Sequence, residues 1–469
     1  MKKRKKIILG SITGALALAL AGGGFWAYKT FVPQETPIDK NATVASNFYQ
    51  AVNKDWLLKT KIPADSPSID NFYTLDEDIK GKLKKDIKNL GEGKETSDIT
   101  GMSEFITFYK AASDYKQREK DGLEPLKPYL KEIEDIKDLN DLASKSASLT
   151  DKGIPLPFGY DVGTNAENTS QKQIQLSPPS ILLPDVSIYK DEASKKQYLT
   201  PIETATQKAL EMLGYSEKNS KRIVKEALEF DEIIAKYSLS NEEMSESKNL
   251  VHPKTAEEIN AYSGSFKLYD VIKGIMGRDL ETINVPNTKY FENYSKIVNQ
   301  DNFSKIKSWI LVQEAMAASN SLTEDYRLNF QSISMAIMGT QKPVSKEDTV
   351  YEMSVHLFSD VMSVYYGRKY FGEEAKTDVT DMIDKIKNVY RGRLQQNNWL
   401  TEGTRNKAIE KLDKMKVFVG YQEDVDPGTK ELHLDPNKSF FELSEDIAQF
   451  GKRYTIDHFD DPIDKNKWS

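Results

Sequence analysis

Cysteine is absent from all 469 residues. That removes disulfides, thiolate zinc ligands, a cysteine nucleophile and a lipid-modified cysteine anchor together, so stability must come from packing. Histidine is almost as scarce, with four residues: His252, His356, His433 and His458. None stands four residues from another, so no helix face can offer the two imidazoles and intervening glutamate of an HExxH zinc site. There is no GxSxG nucleophile elbow, no glycine-rich phosphate loop and no GxGxxG following a strand. An excess of positive charge is also missing. Lys and Arg number 65 against 72 Asp and Glu, for a net charge of −7, which argues against a partner bound by phosphate neutralisation and so against nucleic acid.

Two weaker groupings remain. Glu352 and His356 lie one turn apart in YEMSVHLF and could supply two metal ligands if a third came from elsewhere. His433 and His458, with Asp457 and Asp460, form a second candidate near the C-terminal end. A helix-surface histidine and a solvated acidic loop are the plainer readings, and no catalytic, cofactor-binding or metal-binding residue is assigned. The sequons at Asn41, Asn168, Asn293 and Asn302 are short enough to arise by chance.

What the chain does carry begins at its N-terminus. Lys2, Lys3, Arg4, Lys5 and Lys6 precede an uncharged run from Ile7 to Tyr28, longer than the ~20 residues that span a bilayer as a helix. The basic flank keeps residues 1–6 in the cytoplasm and places everything after Lys29 outside. Ala19-Leu20-Ala21 offers a small-x-small cleavage site as the alternative. Phe25, Trp26 and Tyr28 at the interface position favour a signal-anchor over residues 7–28. The expected localisation is thus the cell membrane, single-pass with an extracellular C-terminal part, or secretion if cleavage occurs.

Residues 29–44 are polar and proline-bearing, as suits a tether. Beyond Ala45, apolar residues recur at three- and four-residue spacing, as in Leu75, Ile79, Leu83 and Ile87, and in Met382, Ile386, Val389 and Leu394, which predicts amphipathic helices. Thr401 before Glu402, followed by Ala408, Leu412 and Met415, reads as a capped helix start. Strand-like runs are limited to Gln173–Leu176 and Val417–Val419, and Ser177-Pro178-Pro179 with Leu183-Pro184-Asp185 mark a proline-rich loop. The fold class is mainly α with minor β, preceded by one transmembrane helix. No internal repeat is evident.

NFYQAVNKDWL from Asn47, then IPADSPSIDNFYTLDED, resembles the start of the ectodomain in the neprilysin and endothelin-converting-enzyme family, which includes bacterial oligoendopeptidase O. The likeness continues in order through FYKAASDYKQREKDGLEPL (108–126), SILLPDVSIY (180–189), MGTQKPVSKEDTVYEMSVHLFSDVMSVYYGRKYF (338–371) and NNWLTEGTRNKAIEKLDKMKVFVGY (397–421). The resemblance implies a membrane-anchored zinc endopeptidase of short extracellular peptides, built from a helical lid lobe and a catalytic lobe. On that basis residues 45–425 correspond to the N-terminal, lid-bearing domain, and 426–469 to a linker towards the catalytic lobe. In the family an NAYY-like strand, the HExxH helix and an ExxxD carrying the third ligand follow a DxxxW-like segment, here Asp464 to Trp468. None of them maps onto a residue of this sequence. No arginine occurs between Ile62 and Lys80, where relatives often place them to receive substrate. The expectation is a part that binds no zinc and is inactive alone, with a separate catalytic fragment as partner. The alternative is a non-catalytic surface protein that binds peptides or proteins.

Overall fold

The computed structural model describes residues 38–464 and Trp468. The expected signal-anchor, 7–28, lies outside the described residues. Among the described residues, no helix is long and apolar enough to cross a membrane.

The helices of eight residues or more are, in chain order, α1 (Phe48–Lys59), α2 (Asn71–Gly91), α3 (Met102–Ser113), α4 (Lys127–Glu134), α5 (Leu139–Asp151), α6 (Glu192–Met212), α7 (Glu217–Tyr237), α8 (Leu268–Met276), α9 (Phe303–Ala317), α10 (Glu324–Met338), α11 (Lys346–Leu357), α12 (Ser359–Tyr366), α13 (Gly372–Gln395), α14 (Glu402–Asp413) and α15 (Phe440–Asp457). Their starts follow local chemistry. Asn47, Thr323 and Thr401 each accept a backbone N–H of the first turn, and Ser439 with Glu442 closes a capping box at α15. The chain divides into two units, one of residues 1–77, 114–349 and 437–463, the other of 78–113, 350–436 and 464–469.

The first unit holds the larger core. α7 packs along α9 and against α6, and α6 also meets α10. Ile223, Val224, Ala227, Phe230 and Ile234 recur along one face of α7 and are buried, which is what a 3.6-residue period produces. A small sheet joins this core, made of β1 (Gly159–Thr164), β2 (Lys172–Ser177), β3 (Pro253–Lys254) and β4 (Ile283–Asn284), in the order β1-β2-β4-β3. β1 and β2 form an antiparallel hairpin with Gly159 opposite Ser177. β4 runs parallel to β2 and antiparallel to β3. The strand expected at 173–176 is therefore present within β2.

In the second unit Phe105 and Phe108 of α3 pack on Phe358, with ring centroids 5.7 and 5.8 Å apart. Leu83 and Ile87 of α2 are buried as their spacing predicts, and so is Leu412 of α14. Two expectations differ. Residues 417–419 form no strand. They are followed by Gly420 at φ +74°, packed on Phe371, and by Tyr421, whose ring lies on Gly367. Side-chain packing on two glycines, rather than ladder hydrogen bonds, holds this strap. The stripe Met382, Ile386 and Val389 of α13 is amphipathic as read, yet it is exposed, and α13 buries no residue fully.

Candidate functional site

The histidines do not assemble a centre. Glu352 is exposed and its carboxylate pairs with Lys80 Nζ at 3.1 Å, while His356 is exposed one turn on. His433 is exposed, 3.9 Å from Glu104, and belongs to the second unit, whereas His458 belongs to the first. His458 stacks on Tyr454 at 3.9 Å, and its Nδ1 lies 2.9 Å from the Tyr454 carbonyl. Asp460 pairs with Arg278. The His252 backbone N–H donates to Asn284 Oδ1 at 2.7 Å, a sheet-edge contact. Among the described residues no group of three or more His, Asp or Glu side chains is placed to hold a metal ion. With no cysteine either, the residues present do not fit a zinc centre.

Two polar hubs were not anticipated from the sequence. In the first unit Asp231 of α7 is fully buried. Its carboxylate accepts from the Leu182 N–H at 3.1 Å, from Trp309 Nε1 at 3.0 Å and from the Tyr189 hydroxyl. Burial pushes Asp231 up to about 6 even against the lowering effect of these donors. Its own burial, with the negative charge of Asp231 beside it, drives Tyr189 well above the ordinary phenol range. The signal that could have exposed this hub is an aspartate standing on the otherwise apolar face of α7, next to Phe230.

Asp231 pins the proline-rich loop SILLPDVSIY, and that loop walls a groove of about 520 Å3. Pro178, Pro179, Leu183, Asp185, Met244 and Asn287 line it, and its lining includes no histidine, lysine or arginine. Burial opposes the charge of Asp185, but donors from Ser187 and Asn241 outweigh it and hold the carboxyl below its usual range. The groove is rigid and of ligand size. It offers contact surface but no nucleophile or general base.

The second hub, in the other unit, centres on Lys369 in the π-helical turn 367–371. Its Nζ lies 2.9 Å from Asp86, 3.0 Å from Glu95 and 2.9 Å from the Tyr365 hydroxyl. Tyr370 donates to Asp86 at 2.6 Å. Burial works against the ammonium, yet the hydrogen bonds from Tyr365, Asp86 and Glu95 prevail and hold Lys369 above the ordinary lysine range. This satisfied network ties α2 to the turn after α12.

The comparisons bear on what these hubs serve. The sequence model described as peptidase family M13 matches residues 44–422. This chain belongs to peptidase family M13. Among M13 relatives, the neutral endopeptidase of Lactobacillus helveticus is 32% identical over 431 residues, covering 92% of this chain and 66% of that protein. The neutral endopeptidase of Lactococcus lactis subsp. lactis is 29% identical, covering 91% and 68%. The crystal structure of PEPO from Lactobacillus rhamnosis superposes with a TM-score of 0.85 at 24% identity, over 91% of this chain and 68% of that one. The zinc metalloprotease ZMP1 of Mycobacterium tuberculosis gives a TM-score of 0.79 at 19% identity, over 93% and 66%. The chain therefore spans about two thirds of the length of these relatives, and its fold is that of the corresponding part of M13 proteins.

Proposed function

We propose that these 469 residues form the N-terminal, substrate-enclosing part of a membrane-anchored M13 zinc endopeptidase of short extracellular peptides, and that peptide hydrolysis requires zinc-binding residues from outside them. The observation that carries the reading is the family match over 44–422, combined with a sequence that contains no HExxH. Two unpartnered faces support it. In the first unit Phe48, Tyr49 and Val52 of α1 are exposed and α1 buries nothing fully. In the second, Met382, Ile386, Val389 and Tyr390 of α13 and the nearby Trp399 are exposed. Apolar surface of that kind is a docking surface for a further folded part, here the zinc-bearing part of an M13 enzyme. The run 7–28 serves as the anchor in this reading.

The test is reconstitution. The chain is co-expressed with the remaining third of the Lactobacillus helveticus neutral endopeptidase and assayed on a short quenched-fluorescent peptide. Zinc-dependent hydrolysis is expected from the pair and from neither piece alone. Co-purification of the two pieces fails if the exposed faces are not docking surfaces. A second reading, a surface protein that binds peptides without cleaving them, draws on the preformed 520 Å3 groove beside the Asp231-pinned loop. Saturable binding of short peptides by the chain alone, lost when the groove is filled by Met244→Trp, would favour it.

A further inference from the structure

Glu314 stands on α9 inside the first unit's core, 5% exposed. Among the described residues it has no hydrogen-bond or ion-pair partner. Tyr326 of α10, whose hydroxyl is spent on the Ala315 carbonyl at 2.9 Å, and Tyr129 of α4 lie near it. From α15 it is faced by a second, half-buried carboxylate, Glu445, and by Lys452. Asp446 and Glu442, also on α15, and Asp151 of α5 complete the charged surroundings. Lys452 does not neutralise the pair. It is exposed to solvent, and its Nζ points to the Thr150 carbonyl at 3.5 Å rather than to either glutamate. Two carboxylates thus share a site with one water-screened ammonium, and the arrangement balances only when a carboxyl holds its proton.

The rest of the α15 contact is apolar or neutral. Phe440, Phe441 and Leu443 are buried, Phe441 meets Tyr129 edge-on at 5.4 Å, and Ser444 Oγ lies 3.4 Å from Ser321 Oγ. Arg453 pairs with Asp151 at 2.7 Å near the other end. The Glu314–Glu445 pair therefore sits in the middle of the seam that holds α15 on the core.

We propose that Glu314 and Glu445 form an acid-strengthened latch: α15 is clamped on the first unit while these carboxyls are protonated, and its attachment loosens as both ionise. Burial, with the charge of Glu445 added, lifts Glu314 up to about 8, and burial lifts Glu445 up to about 7. A carboxyl whose folded pKa lies above its unfolded one contributes stability at low pH and loses it as pH rises through the folded value. The window accordingly opens above the ordinary value of 4.5 and closes near 8.

Because the chain has no cysteine, Ser444→Cys places a single thiol on the seam of the full-length protein. Its modification rate by a soluble disulfide reagent is measured from pH 5.5 to 8.5 and divided by that of a free cysteine peptide at each pH. The latch predicts that this normalised rate rises by at least about tenfold over the range. With Glu314→Gln or Glu445→Gln in the same background the rise shrinks severalfold, most of all for the buried Glu314. Equal slopes with and without the glutamines, in whichever variants fold, overturn the proposal.

Discussion

Replacing Gly367 with alanine tests whether the strap 417–425 is held by packing on glycine. Gly367 has ordinary helical geometry, φ −59°, so alanine costs nothing through the backbone; the whole effect must come from its methyl group, which would overlap the ring of Tyr421. Tyr421 is 3% exposed, meets Phe371 edge-on at 6.4 Å and donates to Glu373 at 2.6 Å. If the ring stays, the overlap is relieved by strain of about 1–3 kcal/mol. If the ring leaves, its burial is lost, about 2–3 kcal/mol, together with a hydrogen bond to a carboxylate worth about 1.5–3. Either route puts the loss at about 2–4 kcal/mol, the cheaper route setting it. The assay is a double-mutant cycle in urea unfolding with Tyr421→Ala, which removes the ring that the methyl meets. Gly367→Ala should cost little once Tyr421 is gone, giving a coupling of about 1–3 kcal/mol. Additive costs, or a single-mutant loss under about 0.5 kcal/mol, would refute the packing account.

Three further outcomes follow from the hubs and the open faces. Asp231→Ala strands the donors of Leu182, Trp309 and Tyr189, partly offset by removal of a buried charge, and should cost about 3 kcal/mol in urea unfolding. Since burial lifts Asp231 to about 6, its contribution is lost as pH rises through that value, so the deficit should be larger at pH 5 than at pH 8; the reverse order contradicts the assignment. Lys369→Met leaves Asp86, 4% exposed, without its cation and should cost about 3 kcal/mol, with Asp86→Asn restoring part of it in the same background. Met382→Ser with Val389→Ser should change stability by no more than about 0.5 kcal/mol while lowering hydrophobic-dye binding, and a loss above about 2 kcal/mol would mean that this face is covered in the isolated chain.

The legible parts of this fold were those specified by neighbours in sequence. Thr401 caps its helix because a threonine hydroxyl reaches an amide three residues on, and β2 contains the run 173–176 because alternation and the following prolines bound it. Leu83 and Ile87 are buried where a helical period puts them. The same period in α13 predicts an apolar stripe but not what lies against it, and in these residues nothing does. Val417–Val419 has the composition of a strand, yet strand formation needs a partner edge, and this strap is fixed instead by Gly367 and Gly420 receiving rings. The hubs were hidden for another reason. Tyr370 and Asp86 are 284 residues apart in the chain, and a polar pairing at that distance has no local signature. Asp231 did leave one, as the single carboxylate on a buried helix face. The family's collinear blocks conveyed more than any motif, because here they record packing of a scaffold rather than a catalytic centre.

The most direct measurement is hydrolysis of a short quenched-fluorescent peptide by the purified 469-residue chain alone, with added zinc and with a chelator. The account predicts no turnover in either condition. Zinc-dependent cleavage that the chelator abolishes, in a preparation free of other peptidases, would contradict it by showing that these residues assemble a metal centre without HExxH.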